Sequence, residues 1–577
     1  MSDLKSYVAA ADPIPGRMLK WHLYGEGLDN LRVEEVDVPA IGPDELLVRQ
    51  DACGICFSDL KVIALGSNHP RMAGRDLRTD PVTLGHEVSC TVVRVGANLE
   101  GRFHVGQRFI VQADVFHGGV SMAYGYAISG GFAQYSRIPV SMIAGDEGCY
   151  LLPVRPVDGY AEAALVEPWA CVVSAYNQGH RAGIRSGGAL LAIAGAGAGA
   201  IDWTGAVAGG GPPAQATLIG ASDDVVRACV AGLGGIASVR LMDAPSAWST
   251  LKAQTPEGAG FDDVVVLGAV APEVVEGAAT TLANHAALSL VGGTRLPRKL
   301  SLDIGRVHYN WHHYLGTTGS RVADAYSERR GADLVRGGLA WFIGAGGPMG
   351  QMHVQRAVFH PEPPRRIVGT DIDVERLQSL ADRFGSAAAA RGIDLVLLNP
   401  KEMGQDAFDA EICRLSDGRG YDDIVSLVPV PALIEHASDH LADGAWFNVF
   451  AGVARGTMAS IDVEAIRSRG VRYVGSSGSS IADMRETLEK VEGGELSTNA
   501  SLAAIGGMRA VREGIAAVRD GRFPGKTLIF PLIEDLPLLS LADLRQAYPS
   551  VYERLQDGRF WTREAEQELL RLAIERR

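Results

Sequence analysis

A pattern of an apolar strand followed by a glycine turn occurs twice in this chain of 577 residues, and it limits what the chain can fold into. Three pairs of matching segments follow one another in the same order, at separations of 150 to 160 residues. The pairs are ALLAIAGAGAGA (189–200) with LAWFIGAGGPMG (339–350), FDDVVVLGAV (261–270) with YDDIVSLVPV (421–430), and GTTGSRVAD (316–324) with GSSGSSIAD (475–483). Strand, glycine turn and helix in succession are typical of a doubly wound nucleotide-binding unit, so the sequence predicts that this unit is duplicated.

The chain before the duplication has a different pattern. Short apolar segments between residues 20 and 150 are separated by Pro and Gly, which predicts an irregular β domain. The segment 161–182 has a helical pattern and would carry the chain out of that domain. After residue 536 a last helix is predicted from Thr562, a plausible N-cap, and it would pack on its own chain or on a second subunit.

Composition narrows the class of protein. Seventy glycines suit an α/β protein with many tight turns, and a net charge of −14 argues against nucleic acid as a partner. Seven scattered cysteines, an odd number, are no disulfide framework and favour a reduced, cytoplasmic setting. The N-terminus lacks a signal-peptide pattern, and the most apolar run, 189–211, contains Asp202, so we expect no membrane attachment.

Three segments carry residues suited to a catalytic metal. CGICFSDLK contains Cys56, GHE contains His86 and Glu87, and LVEPWACVVSAY contains Glu167. A catalytic zinc needs a few nitrogen, sulfur or oxygen ligands and an open position. A thiolate, an imidazole and a carboxylate together supply that ligand set, although each motif alone is weak.

The order of these motifs, followed by the glycine-turn fold, resembles the medium-chain dehydrogenase/reductase superfamily and its zinc-dependent polyol and sugar dehydrogenases. GPMGQMHVQRA, TDIDVERL, GYDDIVSLVPV and FNVFAG also resemble sorbose 1-phosphate reductase-like members. The resemblance implies an α/β fold with a GroES-like β catalytic domain and two doubly wound (Rossmann) units, the first degenerate. The predicted parts are the catalytic domain (1–185), the degenerate unit (186–330), the NAD-binding unit (331–478), a return to the catalytic domain (479–535) and a helical tail (536–577).

The resemblance also implies roles for individual residues. Cys56, His86 and Glu167 would bind one catalytic Zn²⁺, and Glu87 would be either an exchanging ligand or a group that contacts the ligands without binding the metal. Asp59 would orient these ligands, and Ser58 would begin the proton relay from the substrate hydroxyl.

Two departures from the family pattern alter these expectations. The usual relay histidine is Lys61 here, and a lysine passes a proton only if burial or a nearby cation lowers its pKa. The lobe near 112–130 contains no cysteine, so no structural zinc is expected beside the catalytic one.

NAD is the expected cofactor, bound by the second nucleotide unit. Asp371, after the strand RRIVGTD, would accept hydrogen bonds from the ribose hydroxyls and repel the 2′-phosphate of NADP. The first unit, with Gly195, Gly197 and Ala200, runs quickly into GGGPP at 209–213, which leaves a short helix for the pyrophosphate. The predicted cofactor-binding residues are Gly344, Gly346, Gly347, Met349, Gly350 and Asp371.

Two further segments carry binding hypotheses. The loop 66–81 holds His69, Arg71, Arg75 and Arg78, which could bind a phosphorylated or carboxylated substrate or be a solvated surface loop. VHYNWHH (307–313) could hold a second metal, but its spacing lacks a clean ligand pattern.

The sequence therefore predicts an oxidoreductase that transfers a hydride between NAD and a secondary hydroxyl of a polyol, sugar or sugar phosphate. Catalysis would depend on Ser58, Lys61 and Glu87. Two alternatives remain, a zinc-free quinone or enone reductase on the same fold and a non-enzymatic nucleotide-sensing scaffold. The sequence leaves homo-oligomerisation open.

Overall fold

The computed structural model describes residues 3–72, 74–209, 211–328 and 330–576. The chain divides into two compact parts, one with residues 1–174, 347–352 and 478–577, the other with residues 175–346 and 353–477. Within the described ranges, no helix combines the length and apolar character needed to cross a membrane. The α/β fold predicted from the sequence is confirmed, whereas the bounds of the five predicted parts stay predictions.

The first 176 residues form mainly short strands, as the punctuated pattern predicts. The predicted helix over 161–182 is interrupted at Leu165 and ends at Tyr176. The strands are β1 (Arg17–Leu23), β2 (Leu31–Asp37), β3 (Leu46–Gly54), β4 (Glu87–Val95), β5 (Arg108–Val111), β6 (Phe116–His117), β7 (Val120–Ser121), β8 (Tyr135–Ile138) and β9 (Leu151–Val154). The helices are α1 (Leu4–Val8), α2 (Phe57–Leu65), α3 (Val140–Ile143), α4 (Tyr160–Ala164) and α5 (Val166–Tyr176).

The next segment is the first doubly wound unit. Its strands are β10 (Ala189–Ala194), β11 (Gln215–Ile219), β12 (Ser238–Met242), β13 (Phe261–Leu267), β14 (Leu282–Val291), β15 (Leu300–Asp303) and β16 (His313–Thr317). Its helices are α6 (Asp223–Gly232), α7 (Trp248–Ala253), α8 (Pro272–Ala279), α9 (Ile304–Asn310) and α10 (Val322–Ala325). Six strands form a parallel sheet in the order β12-β11-β10-β13-β14-β16.

The second unit repeats this topology. Its strands are β17 (Leu339–Ile343), β18 (Arg366–Thr370), β19 (Asp394–Leu398), β20 (Tyr421–Ser426), β21 (Leu441–Val449), β22 (Met458–Ile461) and β23 (Arg472–Val474). Its helices are α11 (Pro348–Phe359), α12 (Val374–Ala390), α13 (Pro400–Met403), α14 (Gln405–Leu415), α15 (Pro431–Ser438) and α16 (Val463–Arg469). The sheet order β19-β18-β17-β20-β21-β23 matches that of the first unit, and the register shifts at Phe261/Asp263 and Tyr421/Asp423 also match.

The two nucleotide-type units contact each other with approximate two-fold symmetry. β15 and β22, equivalent strands of the two units, pair antiparallel, with Ser301 opposite Ser460. The Ser301 amide donates to Glu276 at 2.8 Å and the Ser460 amide donates to Glu435 at 2.7 Å, so the same contact occurs on both sides. The edge strands β16 and β23 also touch. This arrangement has the form of an isologous dimer interface contained in one chain.

The last segment returns to the sheet formed by the first residues. It contains β24 (Leu502–Gly507), β25 (Lys526–Phe530), β26 (Leu539–Ser540), α17 (Ile481–Glu492), α18 (Val511–Arg519), α19 (Leu544–Ala547), α20 (Pro549–Tyr552) and α21 (Arg563–Glu575). The sheet runs β26-β24-β25-β3-β4-β5-β9, with β8 also beside β3. Thr562 caps α21 as predicted, and Leu569 and Leu570 of α21 are buried in their own chain.

Candidate active site

Cys56 is positioned by the turn between β3 and α2. It is the N-cap of α2, where an extended backbone conformation precedes the helix. The carboxylate of Asp59, one turn into α2, accepts a hydrogen bond from the Cys56 amide at 2.9 Å. Asp59 therefore fixes the backbone that presents the thiol.

Cys56, His86 and Glu87 come together in the folded chain. Their potential ligand atoms all lie within 4.8 Å of one another, the only such group among the residues described. β3 and β4 pair antiparallel with Gly54 opposite Glu87, so the end of one strand meets the start of the other. This pairing brings the motifs CGIC and GHE to one place.

The polar atoms of this cluster are incompletely bonded. In the part of the chain that the structure describes, Glu87 Oε2 and His86 Nδ1 are buried without a hydrogen-bond partner. The nearest carboxylate oxygen, Asp59 Oδ1, is 3.6 Å from His86 Nδ1, which is too long for a hydrogen bond. Buried groups without partners are uncommon in native proteins, and a bound cation would satisfy them. One sulfur, one nitrogen and one oxygen donor fit zinc.

Glu167 lies near this cluster but outside the group of three. It is the second residue of α5, and burial raises the pKa of its carboxyl to about 7, with the Glu87 charge adding to the rise. His86 opposes the rise. A metal cation beside these groups would favour the charged carboxylate. The predicted role of Glu167 as a ligand stays a prediction.

Lys526 is a residue of the site that no sequence motif pointed to. Its Nζ donates to Glu87 Oε1 at 2.5 Å and to the Ile55 carbonyl at 3.0 Å, and the whole side chain is buried. Burial lowers the pKa of Lys526, but the Glu87 carboxylate outweighs it and the pKa is raised. Lys526 is the first residue of β25, and β3 separates this strand from β4, which carries Glu87. A side chain at Gly54 of β3 would overlap the Glu87 carboxylate.

Ser58 and Lys61 lie on the first two turns of α2. Ser58 Oγ is 3.3 Å from His86 Nε2, so the hydroxyl expected to begin the proton relay borders the cluster. The charge of Lys61 acts on His69, whose pKa is lowered by burial first and then by Arg71 and Lys61. The relay itself stays a prediction.

The arginines of the loop 66–81 have different partners. Arg75 pairs with Asp80 at 2.8 Å and Arg78 with Asp76 at 2.9 Å inside the loop, and Arg75 also donates to the Tyr126 carbonyl at 2.9 Å. Arg71 reaches out of the loop to Asp114 at 2.7 Å, and its guanidinium lies 4.9 Å from the ring centre of Tyr126. The Tyr126 ring is in turn 5.9 Å from that of His86. Arg71 is thus one aromatic ring away from the cluster.

The glycine turn of the second unit has the form of a nucleotide-binding turn. Gly344 follows β17 with a positive φ of 81°, and a side chain there would collide with Val428. Asp371 follows β18, and its carboxylate accepts the Gly346 amide at 2.9 Å and the Asp373 amide at 3.0 Å. These bonds leave lone pairs on both oxygens. Gly347 precedes α11, Met349 and Gly350 lie in its first turn, and the helix continues for 12 residues.

The first unit departs from this arrangement. After β10 and Gly197, the chain forms only a three-residue 3₁₀ helix, Ala198–Ala200. No α-helix occurs between β10 and β11 in the described residues, from which position 210 is missing. The sequence predicted a short α-helix here, but the described chain has only the 3₁₀ helix. The run of Gly and Pro at 209–213 leads straight to β11 and leaves no room for more. The first unit therefore lacks the helix N-terminus that holds a pyrophosphate.

The three histidines of VHYNWHH point to different partners. His308 Nδ1 is 3.1 Å from the Val449 carbonyl and His312 Nε2 is 2.9 Å from the Ala283 carbonyl. The ring of His313 packs edge-on against that of His180. These histidines form no metal-binding group with one another in the described chain.

Comparisons with known proteins show similarity to dehydrogenases and reductases. Residues 42–145 match the family model of the alcohol dehydrogenase GroES-like domain. The chain is 34% identical over 329 residues to mannitol-1-phosphate 5-dehydrogenase of Aliivibrio fischeri, covering 52% of this chain and 74% of that protein. It is 29% identical over 322 residues to L-sorbose 1-phosphate reductase of Klebsiella pneumoniae, covering 52% and 75%. The crystal structure of 2R,3R-butanediol dehydrogenase from Bacillus subtilis matches with a TM-score of 0.50 and 16% identity, over 89% of this chain and 99% of that one, which shows a shared fold.

Proposed function

Because this chain belongs to the medium-chain dehydrogenase/reductase superfamily, in its branch of polyol and sugar-phosphate dehydrogenases, we propose that it transfers a hydride between NAD(H) and a secondary hydroxyl of a sugar or polyol phosphate. The observation that carries the proposal is the cluster of Cys56, His86 and Glu87 with its buried atoms lacking partners. A zinc-free reductase would have no use for such a group. Relatives that are named dehydrogenases and reductases also argue against a non-enzymatic scaffold.

Cys56, His86 and Glu87 would hold zinc, with Glu167 as a further ligand close by. When bound, zinc would lower the pKa of a coordinated alcohol, and NAD would take the hydride. The chain's own residues supply positioning and charge. Asp59 holds the Cys56 backbone, and Lys526 holds the Glu87 carboxylate and neutralises it.

Ser58 would accept the proton that leaves the substrate hydroxyl. Its Oγ is next to His86 and on the helix that begins at Cys56, so it shares the rigid frame of the cluster. Lys61 is one turn further along α2. Because an ammonium has no lone pair to accept a proton, Lys61 would continue the relay only as a neutral amine. A serine hydroxyl both accepts and donates, which suits it to the first position of a relay.

The second unit would bind NAD through Gly344, Gly346, Gly347, Met349, Gly350 and Asp371. The backbone amides at the start of α11 would bind the pyrophosphate, since a helix N-terminus favours negative charge. Asp371 is preset by two backbone hydrogen bonds and retains lone pairs for ribose hydroxyls. We propose that the first unit serves as a built-in structural partner of the second.

A substrate panel tests the proposed function. Mannitol 1-phosphate and sorbitol 6-phosphate, with mannitol and sorbitol as unphosphorylated controls, are supplied with NAD or NADP, and NADH or NADPH appearance is recorded. We expect turnover of a phosphorylated substrate with NAD, loss of turnover after chelation and recovery with zinc. Full activity in metal-free protein, or equal efficiency with NADP, would contradict the proposal.

The substrate phosphate would pair with Arg71. Of the three arginines in the loop 66–81, Arg71 contacts the ring that packs against His86. We expect Arg71→Ala to raise KM for the phosphorylated substrate about 10-fold or more, since charge-assisted hydrogen bonds contribute roughly 1.5–3 kcal/mol. Arg78→Ala is the matched control, because the partner that the structure describes for Arg78, Asp76, lies in the same loop. Equal KM values for the two variants would show that Arg71 does not bind the phosphate.

A further inference from the structure

A cavity in the first nucleotide-type unit is lined by cationic and imidazole side chains. It has a volume of about 370 Å³ and is lined by His180, Arg181, Arg185, His285 and His313, three of which pair with the carboxylates of Glu328, Asp263 and Asp262. This volume falls among those of small-molecule sites, roughly 300–1,000 Å³. Each of the two arginines is paired with an aspartate, so the lining offers guanidinium N–H donors rather than an excess of positive charge. We refer to it as the cationic cavity.

The cationic cavity lies at the end of the sheet where the strands begin. His313 is the first residue of β16 and pairs with Ala287 of β14. Arg181 and Arg185 precede β10 and are held by Asp263 at 2.9 Å and Asp262 at 2.6 Å. The glycine turn after β10 is at the opposite ends of the strands. The cavity is therefore separate from any remnant of a dinucleotide site.

Two histidines of the cavity have unfavourable features, a strained backbone in one and an unbonded ring nitrogen in the other. His285 has a positive φ of 56°, unusual for a residue other than glycine, and its ring stacks on Trp311 with 4.5 Å between centres. The side chain of His180 is 3% exposed; its Nδ1 lies 3.0 Å from the Glu328 carboxylate, and its Nε2 has no hydrogen-bond partner in the described chain. Strained and unpartnered groups of this kind cluster at ligand sites, where a ligand or an ordered water completes them.

The second unit shows which of these features the fold itself requires. Arg330 donates to the Asp422 carbonyl and to Asp423, as Arg181 does to Asp262 and Asp263, so the arginine–aspartate frame is common to both units. The residues around that frame differ. The strand registers and backbone contacts make Arg185, His285 and His313 of the first unit equivalent to Val335, Gly444 and Arg472 of the second. The fold therefore does not require the histidines.

We propose that the cationic cavity binds a phosphate dianion, either free or carried by a small metabolite. Arginine forks and imidazole N–H groups are suited to phosphate oxygens, and a phosphate monoester carries nearly two charges at pH 7. Burial lowers the pKa of His180 to about 4 and that of His313 to about 3, so both rings are neutral when the cavity holds no anion. Neutral rings spare the two arginines further cationic repulsion. The proposal does not rest on the dehydrogenase chemistry.

Isothermal titration of the full chain with inorganic phosphate and with glycerol 3-phosphate tests this proposal. The key variant is Arg185→Val with His285→Gly, which introduces the residues that the second unit carries at these positions. We expect it to bind at least one of the probes at least tenfold more weakly than the unchanged chain. The probe that binds more tightly to the unchanged chain identifies the free ion or the ester as the source. Arg78→Ala, outside both proposed phosphate sites, should retain this binding.

Three results would overturn the proposal. The first is no binding of either probe up to about 10 mM, an affinity too weak to matter. The second is equal binding by the double variant and the unchanged chain. The third is uptake of added zinc that depends on His285, which would make the cavity a metal site. Thermal melting checks that the double variant folds, and Arg185→Val alone gives a milder variant, because Arg185 is half exposed.

Discussion

At the scale of single residues, the cluster depends on a pair that spans a strand. Glu87 of β4 reaches Lys526 of β25 past Gly54 of β3, where only a glycine leaves room. A buried carboxylate is costly without such a partner, and removing one member of a buried pair costs roughly 3–5 kcal/mol. The position of Glu87 therefore depends on a lysine distant in sequence.

We expect Lys526→Met to reduce kcat/KM by roughly 10–100-fold, the usual effect of losing a group that orients metal ligands. Lys526→Arg should recover much of this loss because it keeps the positive charge beside Glu87. Steady-state kinetics and melting temperatures provide the measurement, and Lys401→Met, at an exposed lysine, is the control. Unchanged kinetics in Lys526→Met would show that the pair has no part in the site.

The sequence predicted some of these residues and missed others for physical reasons. Cys56, His86 and Glu87 lie in short motifs at the ends of strands, and strand pairing brings such motifs together. Lys526 is 439 positions away from Glu87 and begins an apolar strand, so no local pattern distinguishes it. The cationic cavity was missed for the same reason, since its residues come from three separate segments and only VHYNWHH was visible as a group.

At the scale of elements, the two glycine turns lead into different structures. α11 supplies a helix N-terminus after the second turn, whereas three residues of 3₁₀ helix come after the first. The sequence predicted this difference from the Gly and Pro run, but it could not give its full extent.

A pair of substitutions tests which unit binds NAD. Gly350→Asp places a carboxylate in the first turn of α11, near the expected pyrophosphate, and should weaken NAD binding at least tenfold. Gly199→Asp is the matched control, since a side chain there meets open space, and it should leave NAD binding unchanged. Fluorescence titration with NADH measures both. Binding lost only in Gly199→Asp would mean that the units are assigned the wrong way round.

The terminal helix α21 contributes an unusual carboxyl group to its own chain. Glu566 is buried and accepts hydrogen bonds from the amides of Tyr160 and Ala161 at the start of α4. Burial raises its pKa to about 7, although these hydrogen bonds oppose the rise. A raised carboxyl pKa means that its contribution to stability is complete below about pH 4.5 and is lost as the pH rises through about 7.

We therefore expect Glu566→Gln to reduce the fall in stability between pH 5 and pH 8. Because one pKa unit corresponds to about 1.4 kcal/mol, the difference from the unchanged chain is on the order of 3 kcal/mol at most. Urea unfolding at the two pH values measures it. Glu564→Gln, at an exposed position of the same helix, should behave like the unchanged chain. Identical pH dependence in both variants would contradict this account.

At the scale of the whole molecule, the chain contains two nucleotide-type units, and its described residues contain one group suited to a metal ion. The units pair through β15 and β22 as the halves of a symmetric dimer would, so the first unit covers an edge of the second. The sequence predicted the duplication from three ordered matches. It could not predict the pairing, because β15 and β22 carry no motif and meet only when both units have folded.

The most direct measurement of the central claim is zinc content together with turnover. Purified chain should contain about one zinc, and Cys56→Ala should lose both the zinc and NADH production, since a thiolate ligand is gone. Cys413→Ala, which changes an exposed thiol, should lose neither. Atomic emission spectrometry measures the zinc content, and NADH absorbance measures the turnover of the same samples. A Cys56→Ala chain that keeps its zinc and its turnover would contradict the account.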